Sequence, residues 1–230
     1  MAAKSFLICN SIRFKEDDYF VPSQIKLLED EGTPEVNLKL IEENFHEGFS
    51  LFQCHYDYVH NKVGKVFDKP FTRYFEPMDF STYFHRENNL ALVQVKTDAA
   101  LEFITEINST KEYKLEPHDI SFERIIKLVP EISGAWIAEL KGKHLKTAGF
   151  FGPNVHMSDE YKDAIKTGKV SSMTIKWVSK EHIEYSITIS KKGSITLFNN
   201  FKTIEEELDL VNDLFQKLIK PHAIEVTPKS

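Results

Sequence analysis

The segment HIEYSITIS, residues 182–190, constrains this chain more than any other. Ile183, Tyr185, Ile187 and Ile189 alternate without interruption with Glu184, Ser186, Thr188 and Ser190. Side chains of a strand point to opposite faces with a period of two, so this segment is a strand with one face in a core and the other in water. VSSMTIKWV (170–178) and SITLFNN (194–200) are expected as its neighbours, the latter joined to it by a hairpin at Lys191-Lys192-Gly193. What must cover the apolar face follows directly in the chain. In TIEEELDLVNDLFQKLI (203–219), Thr203 and Glu206 stand in capping-box register, and Ile204, Leu208, Val211, Leu214, Phe215 and Leu218 recur at helical spacing.

The same reasoning extends toward the N-terminus. DISFERIIKLVPE (119–131) sets Phe122, Ile125, Ile126 and Val129 on one helical face, with Asp119 or Ser121 as cap. GAWIAELKGKHLKTAGFFG (134–152) reads as two strands turning at Lys141-Gly142, and SDEYKDAIKTG (158–168) as a short helix capped by Ser158 and stopped by Gly168. Residues 119–220 therefore form a domain in the order α-β-β-α-β-β-β-α, with 221–230 as a tail. In the acidic first domain, 1–118, strands are expected at 5–14, 49–60, 63–76 and 89–96. Helices are expected at 23–30, at 34–45 with Pro34 in the first turn, and over DAALEFITEIN (98–108). The expected class is α+β, antiparallel sheets covered by helices.

Charge separates the two halves. Residues 1–118 carry 13 Lys+Arg against 20 Asp+Glu, and residues 119–230 carry 16 against 15. Ten lysines against five acids lie within 141–192, the one stretch suited to a polyanion, yet the chain has four arginines and none after Arg124. Recognition of phosphates and base edges leans on the arginine fork, so a solvated surface is expected there and nucleic acid is not the expected partner. No run reaches the ~18–20 apolar residues of a membrane span, and MAAKSFLICN has no apolar leader core. Cys9 and Cys54 make no disulfide framework. Both features lead to the expectation of a cytoplasmic protein with two buried thiols.

LFQCHYDYVHNK (51–62) crowds Cys54, His55, Asp57 and His60 as a metal site would. In a strand, however, Cys54 and His60 share a face roughly 20 Å apart at ~3.3 Å per residue, while His55 and Asp57 share the other. Only His55 and Asp57 converge, and with Arg73 they are the candidates for an enzyme or ligand site; as zinc ligands they would need at least one or two more from elsewhere. GFFGPNVH (149–156) lacks the Gly-Lys-Ser/Thr ending of a phosphate loop, and Asp159 and Glu160 would meet a phosphate with negative charge. No serine sits in a nucleophile elbow. Trp136 and Trp177 are expected as core anchors. No cofactor is expected.

The front of the second half, VPEISGAWIAELKG, with Gly134-Ala135-Trp136 leading a strand and Gly142 in a tight turn, resembles the Roadblock/LC7 domain of dynein light chains over residues 119–220. The resemblance implies a non-catalytic adaptor or regulatory subunit. It would form a homodimer through the short middle helix and the next strand, and bind a small GTPase or an assembly subunit. In this chain the interface would comprise Tyr161, Ile165, Ser172, Thr174 and Lys176, with 170–178 as a free edge. The alternatives are an enzyme or ligand-binding site at His55, Asp57 and Arg73, and a nucleic-acid accessory role for the lysines of 141–192.

Overall fold

A computed structural model of the protein describes residues 3–22, 32–179 and 182–220. The expected helix 23–30 and the tail 221–230 lie outside the described residues. The expected α+β class is overturned. Strand accounts for 46% and helix for 22%, twelve strands lie in antiparallel sheet structure, and the described residues hold four α-helices, two of them of 7 residues. The chain forms two compact units, Met1–His118 with Lys192–Thr196, and Asp119–Lys191 with Leu197–Ser230.

In the first unit the elements are β1 (Lys4–Arg13), β2 (Tyr19–Val21), β3 (Val36–His46), β4 (Phe49–His60), β5 (Gly64–Val66), β6 (Lys69–Phe71), β7 (Tyr74–His85), β8 (Leu90–Gln94), α1 (Thr97–Asn108) and β9 (Lys114–Pro117). β14 (Ser194–Leu197) joins them, in the order β14-β1-β8-β7-β4-β3-β2, with β9 also on β1. α1 buries Ala100, Phe103, Ile104 and Ile107 among Cys9, Leu38, Phe52, Cys54, Tyr56 and Phe80 of the sheet. Its three large side chains contribute ~1.5–3 kcal/mol each by burial, so the helix is integral to this unit.

The expected helix over 34–45 is a strand. Val36, Leu38 and Leu40 also alternate, and in the ladder they face Tyr56, Cys54 and Phe52 of β4. A fixed partner strand with a matching apolar face outweighs the helical spacing of Val36, Leu40 and Ile41, and Ile41 is left exposed. The expected strand 63–76 is instead the small separate hairpin β5–β6 followed by the start of β7, which then pairs with β4 from His60↔Tyr74 to Phe49↔His85.

The second unit contains α2 (Phe122–Leu128), β10 (Glu131–Ala138), β11 (Ala148–Phe151), a 3-10 turn (Val155–Met157), α3 (Asp159–Ile165), β12 (Lys169–Val178), β13 (Glu184–Ser190) and α4 (Ile204–Leu214) running into a π turn (Phe215–Ile219). The strand order is β11-β10-β12-β13. Ile187 and Ile189 are buried as the alternation requires, whereas Ile183 precedes the strand and is exposed. Ser158 Oγ accepts from the Tyr161 amide, capping α3, and Thr203 Oγ1 accepts from the Glu206 amide. The reciprocal bond of Glu206 goes to the Lys202 amide, one residue before the usual capping-box donor.

Candidate functional site

β4 and β7 bring His55 and Asp57 together as the two-residue period demands, and they add a residue that no sequence pattern marks. Asp79 lies directly across the ladder from His55. His55 Nδ1 donates to Asp79 Oδ1 at 2.8 Å, and His55 Nε2 lies 3.6 Å from Asp57 Oδ1. Asp57 is held in turn, its Oδ2 accepting from the Glu35 amide at 3.0 Å. Partial burial pulls the His55 pKa down, but the Asp79 hydrogen bond and the charges of Asp79, Asp57 and Glu35 outweigh it and leave the pKa raised. An imidazole with a carboxylate beside each nitrogen is favoured in its protonated form. A protonated imidazole has no free lone pair to offer a proton or a metal, so any such role falls to the neutral form that the two carboxylates disfavour. Arg73 is not part of this cluster: Nη1 donates to the Gly32 carbonyl at 3.4 Å and the guanidinium lies 5.0 Å from the Phe75 ring centroid.

The expected interface residues scatter. Tyr161 is 3% exposed and its ring meets Phe150 edge-on, so it packs the unit from inside, while Ile165 at the end of α3 is exposed. Ser172, Thr174 and Lys176 do share the outer face of β12, where Thr174 Oγ1 bonds Thr188 Oγ1 at 2.7 Å and Lys176 Nζ bonds Glu184 at 2.8 Å. The free edge expected along 170–178 does not exist. β12 is paired with β10 on one side and with β13 on the other.

The edge of this unit is β11, which pairs with β10 and has no neighbour on its other side among the described residues. The Gly152 amide donates to the Ser133 carbonyl at 3.1 Å. Backbone groups alternate along an antiparallel strand, so those of Gly149 and Phe151 point away from β10. Beside this open edge stand two aromatic side chains. Trp136 is 44% exposed and Phe151 68%, with their rings 5.6 Å apart and edge to face. Trp136 is thus no core anchor, although Trp177 is buried as expected. A floor of glycine permits the pair: a Cβ on Gly149 would lie 2.9 Å from Phe151 Cε2 and 3.1 Å from Trp136 Cζ3. An open depression of about 800 Å³ follows β11, lined by Gly149 to Val155 and by Met157, Ser158 and Glu160. The loop that joins β10 to β11 carries exposed Lys141, Lys143 and Lys146.

The sequence signal for this surface was the run Gly149-Phe150-Phe151-Gly152 opposite Gly134-Ala135-Trp136. Read alone, each strand shows apolar residues; only the register shows that a glycine faces each large ring, Gly134↔Phe151 and Trp136↔Gly149. Among the described residues no helix is long and apolar enough to cross a membrane. Comparison with protein-family models finds no match, and comparison with curated proteins finds none either.

Proposed function

We propose that the protein is a binding module, an adaptor or regulatory subunit, that recognises an extended segment of a protein partner by adding it as a strand beside β11. The free edge of β11 under the exposed Trp136 and Phe151 pair carries this reading. An extended segment would bond the outward backbone groups of Gly149 and Phe151 and lay apolar side chains against the rings, as strand addition requires. Exposed tryptophan and phenylalanine are side chains that binding surfaces favour. Lys141, Lys143 and Lys146 favour acidic residues at one end of the segment. This keeps the role implied by the Roadblock/LC7 resemblance, with a small GTPase or an assembly subunit as the partner class, and moves the surface from β12 to β11. Two buried thiols, Cys9 and Cys54, suit a cytoplasmic setting.

A second copy of the chain is the other occupant an open edge favours, since β11 meeting its symmetry mate would make a homodimer. One variant series tests both. Phe151→Ala removes the ring alone, whereas Phe151→Pro also removes the outward amide while sparing the ladder with β10. Screening a library of extended peptides by Trp136 fluorescence should yield acidic-apolar binders, weakened about tenfold by Phe151→Ala and further by Phe151→Pro. A wild-type dimer in light scattering that Phe151→Pro converts to a monomer would assign the edge to self-association. If neither peptides nor dimers respond to Phe151→Pro, the edge is not the recognition surface.

A further inference from the structure

The β5–β6 hairpin and the residue just before it carry the most exposed apolar side chains among the described residues, Phe67 at the tip and Val63 at the base. Phe67 is 95% exposed and Val63 86%. Phe67 and Asp68 close the hairpin in two residues, between Val66 and Lys69, and Phe67 takes φ +52°. It is the one apolar residue at positive φ among the described residues; the others are asparagine, glutamate, histidine and glycine. A bulky side chain in this region is a steric outlier at a turn position that glycine would fill without strain. The fold therefore gains nothing from phenylalanine here, and local strain at an exposed position is a mark of function.

The arm behind the tip is built to be stiff. His60 stacks on Tyr74 at 4.6 Å, with Tyr58 edge-on to His60 at 4.8 Å and Phe71 edge-on to Tyr74 at 6.0 Å. Phe71 lies flat over Gly64, where a Cβ would fall 2.3 Å from its ring. The charge of the arm is opposite to that of its surroundings. Residues 62–73 hold Lys62, Lys65, Lys69 and Arg73 against Asp68 alone, a local +3, while the rest of 1–118 carries 9 Lys+Arg against 19 Asp+Glu. Lys62, Lys65 and Lys69 are exposed around Phe67.

We propose that this arm docks the protein on an anionic lipid bilayer, with Phe67 and Val63 entering the interface and Lys62, Lys65 and Lys69 against the headgroup phosphates. A nucleic acid would offer bases to Phe67 but nothing to Val63. Moreover, the single arginine of the arm is already engaged with Gly32 and Phe75. An exposed aromatic side chain at the tip of the arm and an exposed aliphatic one at its base, with lysines along the same arm, match the apolar boundary and charged plane of a membrane surface. The proposal is independent of the role assigned to β11.

Cosedimentation of the full chain with vesicles tests it, using phosphatidylcholine alone and phosphatidylcholine mixed with phosphatidylserine. Binding is expected on the mixed vesicles, falling with added salt. Each lysine should strengthen it about fivefold, so Lys62→Glu, Lys65→Glu and Lys69→Glu combined should abolish it. Phe67→Gly is the decisive variant because it relieves the turn: the melting temperature should hold or rise while partition onto the mixed vesicles falls about tenfold. Three results overturn the proposal: no partition onto the mixed vesicles, partition unchanged by these variants, or retention by polyuridylic acid in place of vesicles.

Discussion

At the scale of single residues, His55 and Cys54 show how one strand serves two environments. Cys54 faces the core, where burial pushes its thiol up to about 12 despite the hydrogen bond to Thr82, so it is inert. His55 faces outward between Asp79 and Asp57, and its raised pKa has a thermodynamic consequence. The folded state binds the imidazole proton more tightly than the unfolded chain, whose histidine titrates near ~6.5. This stabilisation is fully present below that pH and is lost as pH rises through the folded-state value. Wild type should therefore exceed His55→Gln in urea midpoint by more at pH 6 than at pH 8.5. An NMR titration of His55 should show its pKa falling in Asp79→Asn; an unchanged value would remove Asp79 as the cause. The sequence placed His55 and Asp57 on one face from strand periodicity alone. It did not place Asp79, because the register of two strands 24 positions apart is set by long-range packing.

At the scale of elements, segments with their own boundary signals were legible. Ser158 and Thr203 cap the helices they were expected to cap, and the alternation at 184–190 is a strand. The chain misleads where a segment satisfies two periods at once. Val36, Leu38, Leu40 and Ile41 fit both a helix and a strand, and the apolar face of β4 decides between them. β12 fails differently: its polar outer face was taken for an edge, but in a sheet covered on one side an interior strand shows the same pattern. A pair of proline variants separates the two positions. Thr174→Pro, in a strand paired on both sides, should break a ladder hydrogen bond and leave a buried acceptor unpaired, costing about 1–3 kcal/mol, and shift the urea midpoint clearly. Phe151→Pro at the edge of the same sheet should leave it nearly in place. Equal costs would mean that β11 is not an edge.

At the scale of the whole molecule, chain order and spatial order part company at Lys192. The chain leaves the first unit at His118, builds β10 to β13 in the second, and returns to the first for Lys192–Thr196 alone. Gly193 makes the return possible, with φ +88° and so little room that a Cβ would lie 2.6 Å from the His118 carbonyl oxygen. The returning segment completes the first unit in several places: Ile8 donates its amide to the Gly193 carbonyl at 2.9 Å, Thr97 Oγ1 bonds Ser194 Oγ at 2.9 Å, Lys192 pairs with Asp98 at 2.8 Å, and Ile195 is fully buried. No local pattern announces this, since Ser5 and Thr196, which also bond, are 191 positions apart. Residues 1–118 expressed alone would lose the burial of Ile195, ~1.5–3 kcal/mol, and leave the Ile8 amide without its acceptor, about 1–3 kcal/mol more. Against a typical total of about 5–15 kcal/mol, that makes the fragment marginal. Its urea midpoint should fall well below that of the intact chain, hydrogen exchange at Ile8 should become fast, and a peptide of residues 190–198 added in trans should restore part of both. A fragment that unfolds at the same urea concentration as the intact chain, with Ile8 still protected, would show that the first unit needs no strand from the second half.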